Sequence, residues 1–146
     1  MRILGLDIGD RTVGVAVSDP LGLTAQGVTT IERVGIRKDT GKVIDLIREY
    51  GCETVVCGLP LSLSGQDSPQ TEKVRAFRTM LENKLRSSAM QDVKVDWQDE
   101  RLTTVQAEKV LIEADLSRSK RKQVIDKQAA VLILQAYLDR MGNRLE

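Results

Sequence analysis

The 146-residue chain has no histidine. That excludes Ser-His-Asp and Cys-His catalysis and argues against a zinc site, whose usual ligands are cysteine and histidine. Aromatic residues make up only 3% of the sequence, so the core must be mostly aliphatic and base stacking on aromatic platforms is not the main binding mode. Two cysteines, Cys52 and Cys57, are too few for a disulfide framework. The N-terminus lacks the basic region, apolar core and small-residue cleavage site of a secretory signal, and no apolar run approaches transmembrane length. A cytoplasmic protein with no membrane partner is expected. Neither charge sign dominates, since the net charge is +1, and any polyanion-binding surface must be a local cluster. If the chain is an enzyme, carboxylates, lysines or hydroxyls carry the chemistry.

What is present begins with Ile3 to Ile8, an apolar run interrupted by one acid, Asp7. Near-continuous apolar runs of this length read as strands buried on both faces. Gly9, Asp10 and Gly14 supply turn chemistry, and Val13 to Val17 completes a hairpin. Gln26–Ile31 is β-prone, while Arg33–Thr40 is polar and glycine-containing and reads as a loop. Lys42 to Tyr50 carries Val43, Ile44, Leu46, Ile47 and Tyr50 at helical spacing, and Gly51 stops that helix. Thr54–Gly58 is a short buried strand closed by Leu59-Pro60. Ser68-Pro69 is an N-cap followed by proline in the first turn, opening a helix to about Ser87 that buries Val74, Phe77, Met80, Leu81 and Leu85. Val93–Gln98 alternates as a strand with one covered face. Thr103-Thr104-Val105-Gln106 fits a capping box for a helix carrying Val105, Val110, Leu111 and Ala114, and a last helix runs to about Met141. The order β-β-β-α-β-α-β-α-α predicts one α/β domain over residues 1–146, with a mixed sheet covered by helices.

Three acids stand out. A carboxylate in a buried strand is costly unless it is paired, hydrogen-bonded or bound to a metal. Asp7 therefore either accepts N–H bonds from the Gly9–Thr12 turn or serves a site. Asp126 heads a helical stripe through Ala130, Ile133, Leu134 and Tyr137, where an apolar residue is expected unless the acid caps the helix or pairs with Lys122. Glu100 lies at a strand exit, where α/β sheets place their sites, although a solvent-exposed strand end beside Arg101 is the simpler reading of that residue alone. Were the three to converge, mutual repulsion would call for a cation. Hard divalent cations take oxygen ligands, and two of them about 4 Å apart can clamp both oxygens of a phosphodiester under attack.

The ordered set Leu6-Asp7-Ile8-Gly9, Gly14-Val15-Ala16-Val17-Ser18-Asp19, Gly58-Leu59-Pro60-Leu61, Gln70 to Phe77, Asp99-Glu100-Arg101-Leu102-Thr103-Thr104, and Ile125-Asp126 with Ala129-Ala130 resembles the YqgF/RuvX family. That family is a bacterial branch of the ribonuclease H-like superfamily, related to the Holliday junction resolvase RuvC. The likeness covers essentially the whole chain. It implies a ribonuclease H-like fold with a five-stranded mixed sheet flanked by helices. It implies a nuclease dependent on Mg2+ or Mn2+, with Asp7, Glu100 and Asp126 as metal ligands and catalytic acids. It also implies maturation of the 5′ end of small-subunit ribosomal RNA, or, by older naming, resolution of Holliday junctions.

Basic residues near these acids are candidates for gripping nucleic acid. Arg11 and Arg101 flank them, and arginine's planar fork suits phosphate, although salt bridges to Asp10 and Asp99 are an equal reading. Lys73 and Arg75, with the Ser62–Ser68 loop, form a second group. Arg118, Lys120, Arg121 and Lys122 form the densest basic run, ahead of Asp126. The expected partner is structured RNA or branched DNA, bound by a monomer or a homodimer. Two other functions compete. Asp7-x-Gly9 with Gly14-x-Ala16 resembles the first phosphate loop of sugar kinases, actin and Hsp70, which need a second domain to close over ATP. A non-catalytic nucleic-acid-binding factor acting on transcription is the other, against which the three acids argue.

Overall fold

The computed structural model describes residues 2–61, 64–100 and 118–145, the side chains of 118–127 and 143–145 excepted. Its strands are β1 (Arg2–Ile8), β2 (Thr12–Ser18), β3 (Ala25–Glu32), β4 (Cys52–Leu59) and β5 (Lys94–Asp99). The helices are α1 (Ile36–Tyr50), α2 (Pro69–Ser87) and α3 (Arg118–Leu145). The five strands form one sheet in the order β3-β2-β1-β4-β5. The first three meander antiparallel, and β4 and β5 add parallel to β1 after the α1 and α2 crossovers.

β1 is central, which explains its nearly unbroken apolar run, because both of its faces are covered. Strand alternation sends Leu4, Leu6 and Ile8 to one face, where they join Val43, Ile44 and Ile47 of α1 and Val74, Phe77, Leu81 and Leu85 of α2 in an aliphatic core. Ile3 faces the other way and packs with Ala16 and Val56 against Ala129, Ala130, Ile133, Leu134, Tyr137 and Leu138 of α3. Removing the buried Phe77 side chain from this core costs about 3–5 kcal/mol. Cys52 and Cys57 are free thiols within β4. Burial pushes them to about 11 and about 12, so both stay protonated near neutrality.

Ser68 caps α2 as expected: it accepts from the Thr71 N–H, Thr71 reciprocates, and Pro69 occupies the first turn. Met80 is half-buried rather than buried. Gly51 adopts φ 62 and ψ 42, the left-handed conformation that lets its N–H close α1 onto Ile47 and Arg48.

One expected loop is helical. α1 begins at Ile36, six residues before Lys42, and absorbs most of the Arg33–Thr40 stretch. Asp39, in the first turn, is fully buried and accepts hydrogen bonds from the Val34 N–H (3.0 Å) and the Arg33 guanidinium (3.1 Å). Thr40 Oγ1 donates to the Ile36 carbonyl at 2.7 Å. Asp39 thus ties the two residues before α1 to its first turn, and Thr40 folds back onto the helix's own carbonyl, so polar side chains that usually favour turns are used within the helix start. The expected helix bearing Val105, Val110, Leu111 and Ala114 lies outside the described residues.

Candidate active site

The site is built where β1, β4 and β5 end side by side. Leu6 pairs with Cys57, so Asp7 stands level with Gly58 on the neighbouring strand. On the other side Asp7 pairs with Gly14 of β2. The acid is therefore flanked by glycines on both neighbouring strands.

Its direction follows from strand alternation. A Cβ on Gly5 would meet Leu134 Cβ at 2.7 Å, so Gly5 faces α3, and Asp7, two residues on, faces the same side. A Cβ on Gly58 would stand 2.5 Å from Ile133 Cδ1 and 3.4 Å from the carboxyl carbon of Glu100. Glu100 thus reaches over Gly58 on the face that also carries Asp7. Both acids are buried, with 7% of Asp7 and 6% of Glu100 exposed. Two buried carboxylates on one face form an oxygen-only donor set of the kind that suits a hard cation. Among the described residues no group of three His, Cys, Asp or Glu is gathered. Asp126 lies in α3, one turn before Ala130, whose carbonyl approaches Gly5, but its side chain is outside the described residues.

α3 is fixed on this face by polar contacts as well as apolar ones. Tyr137 Oη donates to Asp96 at 3.0 Å, and Arg140 donates to the Gln98 side chain at 3.1 Å. The N-terminal part of the helix carries Arg118, Lys120, Arg121 and Lys122, whose side chains, like residue Arg101, are outside the described residues.

The remaining basic candidates are in view. Arg11 is exposed on the β1–β2 turn. Asp10, its expected ion-pair partner in the simpler reading, instead accepts from Lys73 at 3.0 Å, an exposed pair. Arg75 makes two 3.1 Å bonds to Asp67 and lies 5.8 Å from the centre of the Trp97 ring, with Arg78 at 4.5 Å. Lys73, Arg75 and Arg11 thus lie at the exposed side of the β1 exit and the start of α2, with acids as the present partners of Lys73 and Arg75.

Sequence reasoning passed over two groups that touch the turn after Asp7. Gln70 Nε2 donates to the Ile8 carbonyl at 3.3 Å, and Arg33 Nη1 to the Gly9 carbonyl at 2.9 Å. Both come from segments distant in sequence, and no local spacing signals them.

The RuvX family, described as Holliday junction resolvase, matches residues 1–140. This chain belongs to the RuvX family. A protein of Heliobacterium modesticaldum, named "Putative pre-16S rRNA nuclease", is 53% identical over 139 residues, spanning 95% of this chain and 89% of its own. One of Clostridium tetani with the same name is 51% identical over 144 residues, spanning 99% and 100%. Among solved structures, T. thermophilus RuvC bound to a Holliday junction superposes with a TM-score of 0.59 at 16% identity, covering 97% of this chain and 96% of RuvC. The fowlpox virus Holliday junction resolvase gives 0.54 at 18%, covering 97% and 99%. At these identities the likeness is one of fold, and it establishes the five-stranded mixed sheet as RuvC-like, of the ribonuclease H-like kind. The RuvX chain is accordingly a nuclease-family member with its two described acids on the α3 face of that sheet.

Proposed function

We propose that this RuvX protein is a divalent-metal-dependent endonuclease that hydrolyses phosphodiester bonds in the precursor of 16S ribosomal RNA, in the cytoplasm. The observation that carries the chemistry is the placement of Asp7 and Glu100, both buried, on one face of the sheet, with the Glu100 carboxyl close to Gly58 on the strand beside Asp7. The choice of substrate is supported by the relatives at about half identity over nearly full length, whose names specify pre-16S rRNA.

Asp7 and Glu100, with Asp126 from α3, would hold Mg2+ or Mn2+; an all-carboxylate set with no histidine fits either ion. When bound, such an ion activates water and stabilises the charge that develops on the phosphate oxygens. The protein's own groups do the rest. Gly14 and Gly58 flank Asp7 on the neighbouring strands, and the missing side chain at Gly58 lets Ile133 of α3 and Glu100 come close to the sheet. Arg11, Lys73 and Arg75 lie beyond the acids and attract the flanking phosphates, joined by Arg101 and the Arg118, Lys120, Arg121 and Lys122 run. The present pairs Lys73–Asp10 and Arg75–Asp67 are exposed, and exposed ion pairs are worth about 0–1 kcal/mol, so phosphates can replace the acids at little cost. Binding should weaken steeply with salt.

The test is cleavage of labelled precursor 16S RNA and of a four-way DNA junction, side by side, with Mn2+ or Mg2+ and with Asp7→Asn as control. Metal-dependent RNA cutting that the variant loses is expected. Cutting of the junction alone would transfer the proposal to junction resolution, which the RuvC-like fold and the family's description favour and which would want a two-fold dimer. Binding of both substrates without cutting, by folded wild-type protein, would leave a binding factor.

A further inference from the structure

Asp7 is followed within two residues by the tight β1–β2 turn, and that turn is tied down from outside the hairpin. Inside it, the Gly9 N–H donates to the Thr12 carbonyl at 2.9 Å, and a Cβ on Gly9 would stand 3.0 Å from the same oxygen. From outside, the Arg33 N–H donates to the Arg11 carbonyl at 2.8 Å, and Arg33 Nη1 donates to the Gly9 carbonyl at 2.9 Å. The same guanidinium gives its Nε to Asp39 at 3.1 Å and lies 5.3 Å from the centre of the Phe77 ring. Asp39 is fully buried, and its other oxygen accepts from the Val34 N–H. One planar fork thus spans a fixed carboxylate at the start of α1 and a main-chain oxygen of the turn.

We propose that Arg33 is a positioning residue for the Asp7 site: braced by Asp39, it clamps the Gly9 carbonyl and so sets the course of the chain leaving β1. The geometry needs a guanidinium. Lysine carries the charge but has one nitrogen and cannot bridge both oxygens in the same plane. Arg33 acts through the turn and touches no substrate. A groove of about 530 Å³ runs alongside, lined by Arg33, Asp10 and Lys73, so a small solute can reach the place its head group occupies.

The activity readout rests on the nuclease reading, so a second readout independent of cleavage accompanies it. Wild type, Arg33→Ala, Arg33→Lys and Asp7→Asn are compared for metal-dependent cleavage, for amide hydrogen exchange at Gly9, and for melting temperature. Arg33→Ala should lose roughly ten- to a hundredfold in kcat with KM nearly unchanged, as expected when a reacting group is misplaced by a fraction of an ångström to an ångström. Its Gly9 amide should exchange faster. Arg33→Lys should recover neither. Guanidinium ion at millimolar concentration, with urea as control, should restore cleavage and Gly9 protection in Arg33→Ala and leave Asp7→Asn inactive. Wild-type kcat in Arg33→Ala, full recovery by Arg33→Lys, or unchanged Gly9 exchange would each overturn the assignment. If wild type cuts neither substrate, the nuclease reading has failed, and exchange at Gly9 with and without guanidinium alone decides the role of Arg33. If Arg33→Ala does not fold, the comparison moves to Arg33→Lys and Asp39→Asn, where unaltered kcat and Gly9 exchange in both overturn it.

Discussion

The two faces of the sheet are built on opposite plans. Under α1 and α2 every strand position is filled, and Leu4, Leu6, Val13, Val15 and Val55 meet Phe77, Leu81 and Ile47 in a continuous aliphatic layer. Under α3 the same strands carry small residues at the points of closest approach, Gly5 below Leu134 and Gly58 below Ile133, and two acids at their ends. Side-chain alternation lets one strand serve both. Leu6 and Ile8 pack into the core, and Asp7 between them is on the α3 face with Glu100. On the proposed function, stability and chemistry would be separated by parity along β1, so substitutions one residue apart should have unlike consequences.

Breaking the filled face gives the largest effect on folding. Leu81→Ala should cost about 2–5 kcal/mol in urea denaturation while the surviving folded fraction cleaves normally. On the site face the size of the loss should shift from stability to rate. Asp7→Asn should lower cleavage about a hundredfold or more, roughly 2.7 kcal/mol of barrier, with a urea midpoint close to wild type. Gly58→Ala sharpens the contrast, because one methyl group would press on Ile133 and approach Glu100. It should destabilise by about 1–3 kcal/mol and reduce cleavage as well, and a variant that lost neither would show that the close approach of Ile133 and Glu100 at Gly58 is not needed.

A smaller effect belongs to pH. Burial alone would raise Asp39, but the Val34 N–H, the Arg33 guanidinium and the Gly35 N–H outweigh it and hold the carboxyl below its ordinary 3.8. A lowered folded value means the contribution is present above 3.8 and lost as pH falls through the lower one. Urea midpoints measured from neutral pH down to acid should therefore fall less steeply at the acid end in Asp39→Asn than in wild type. Smallest of all, Lys73→Ala should change stability by about 1 kcal/mol or less, while reducing the salt dependence of RNA binding by about one phosphate contact.

The sequence carried the candidate acids further than it carried their setting. The burial of Asp7 was legible because it interrupts an apolar central strand, whereas Glu100 read alone as a solvent-exposed strand end and is in fact buried. The close approach of α3 at Gly58 was not legible. It depends on Ile133, seventy-five residues away, and strand patterning says only that a glycine is present. Arg33 and Asp39 were hidden for a related reason. Their polar, glycine-containing stretch has the composition of a loop, and it becomes a helix start because Asp39 is buried against Arg33, a contact that helical periodicity does not register. Lys73 and Arg75 were legible as basic residues near a helix start, whereas their ion pairs with Asp10 and Asp67 depend on how two turns meet in space.

The two thiols of β4 have a consequence of their own. Protonated and buried, Cys52 at the start of β4 and Cys57 within it react slowly with electrophiles while the strand keeps its place in the sheet. Cys57, level with Leu6 of β1 and Trp97 of β5, is therefore a silent tag at the middle of the sheet. Where alkylation outpaces reclosing, an electrophile added to native protein modifies it at the rate at which that middle opens, and the chain carries, without any introduced label, its own clock for that motion.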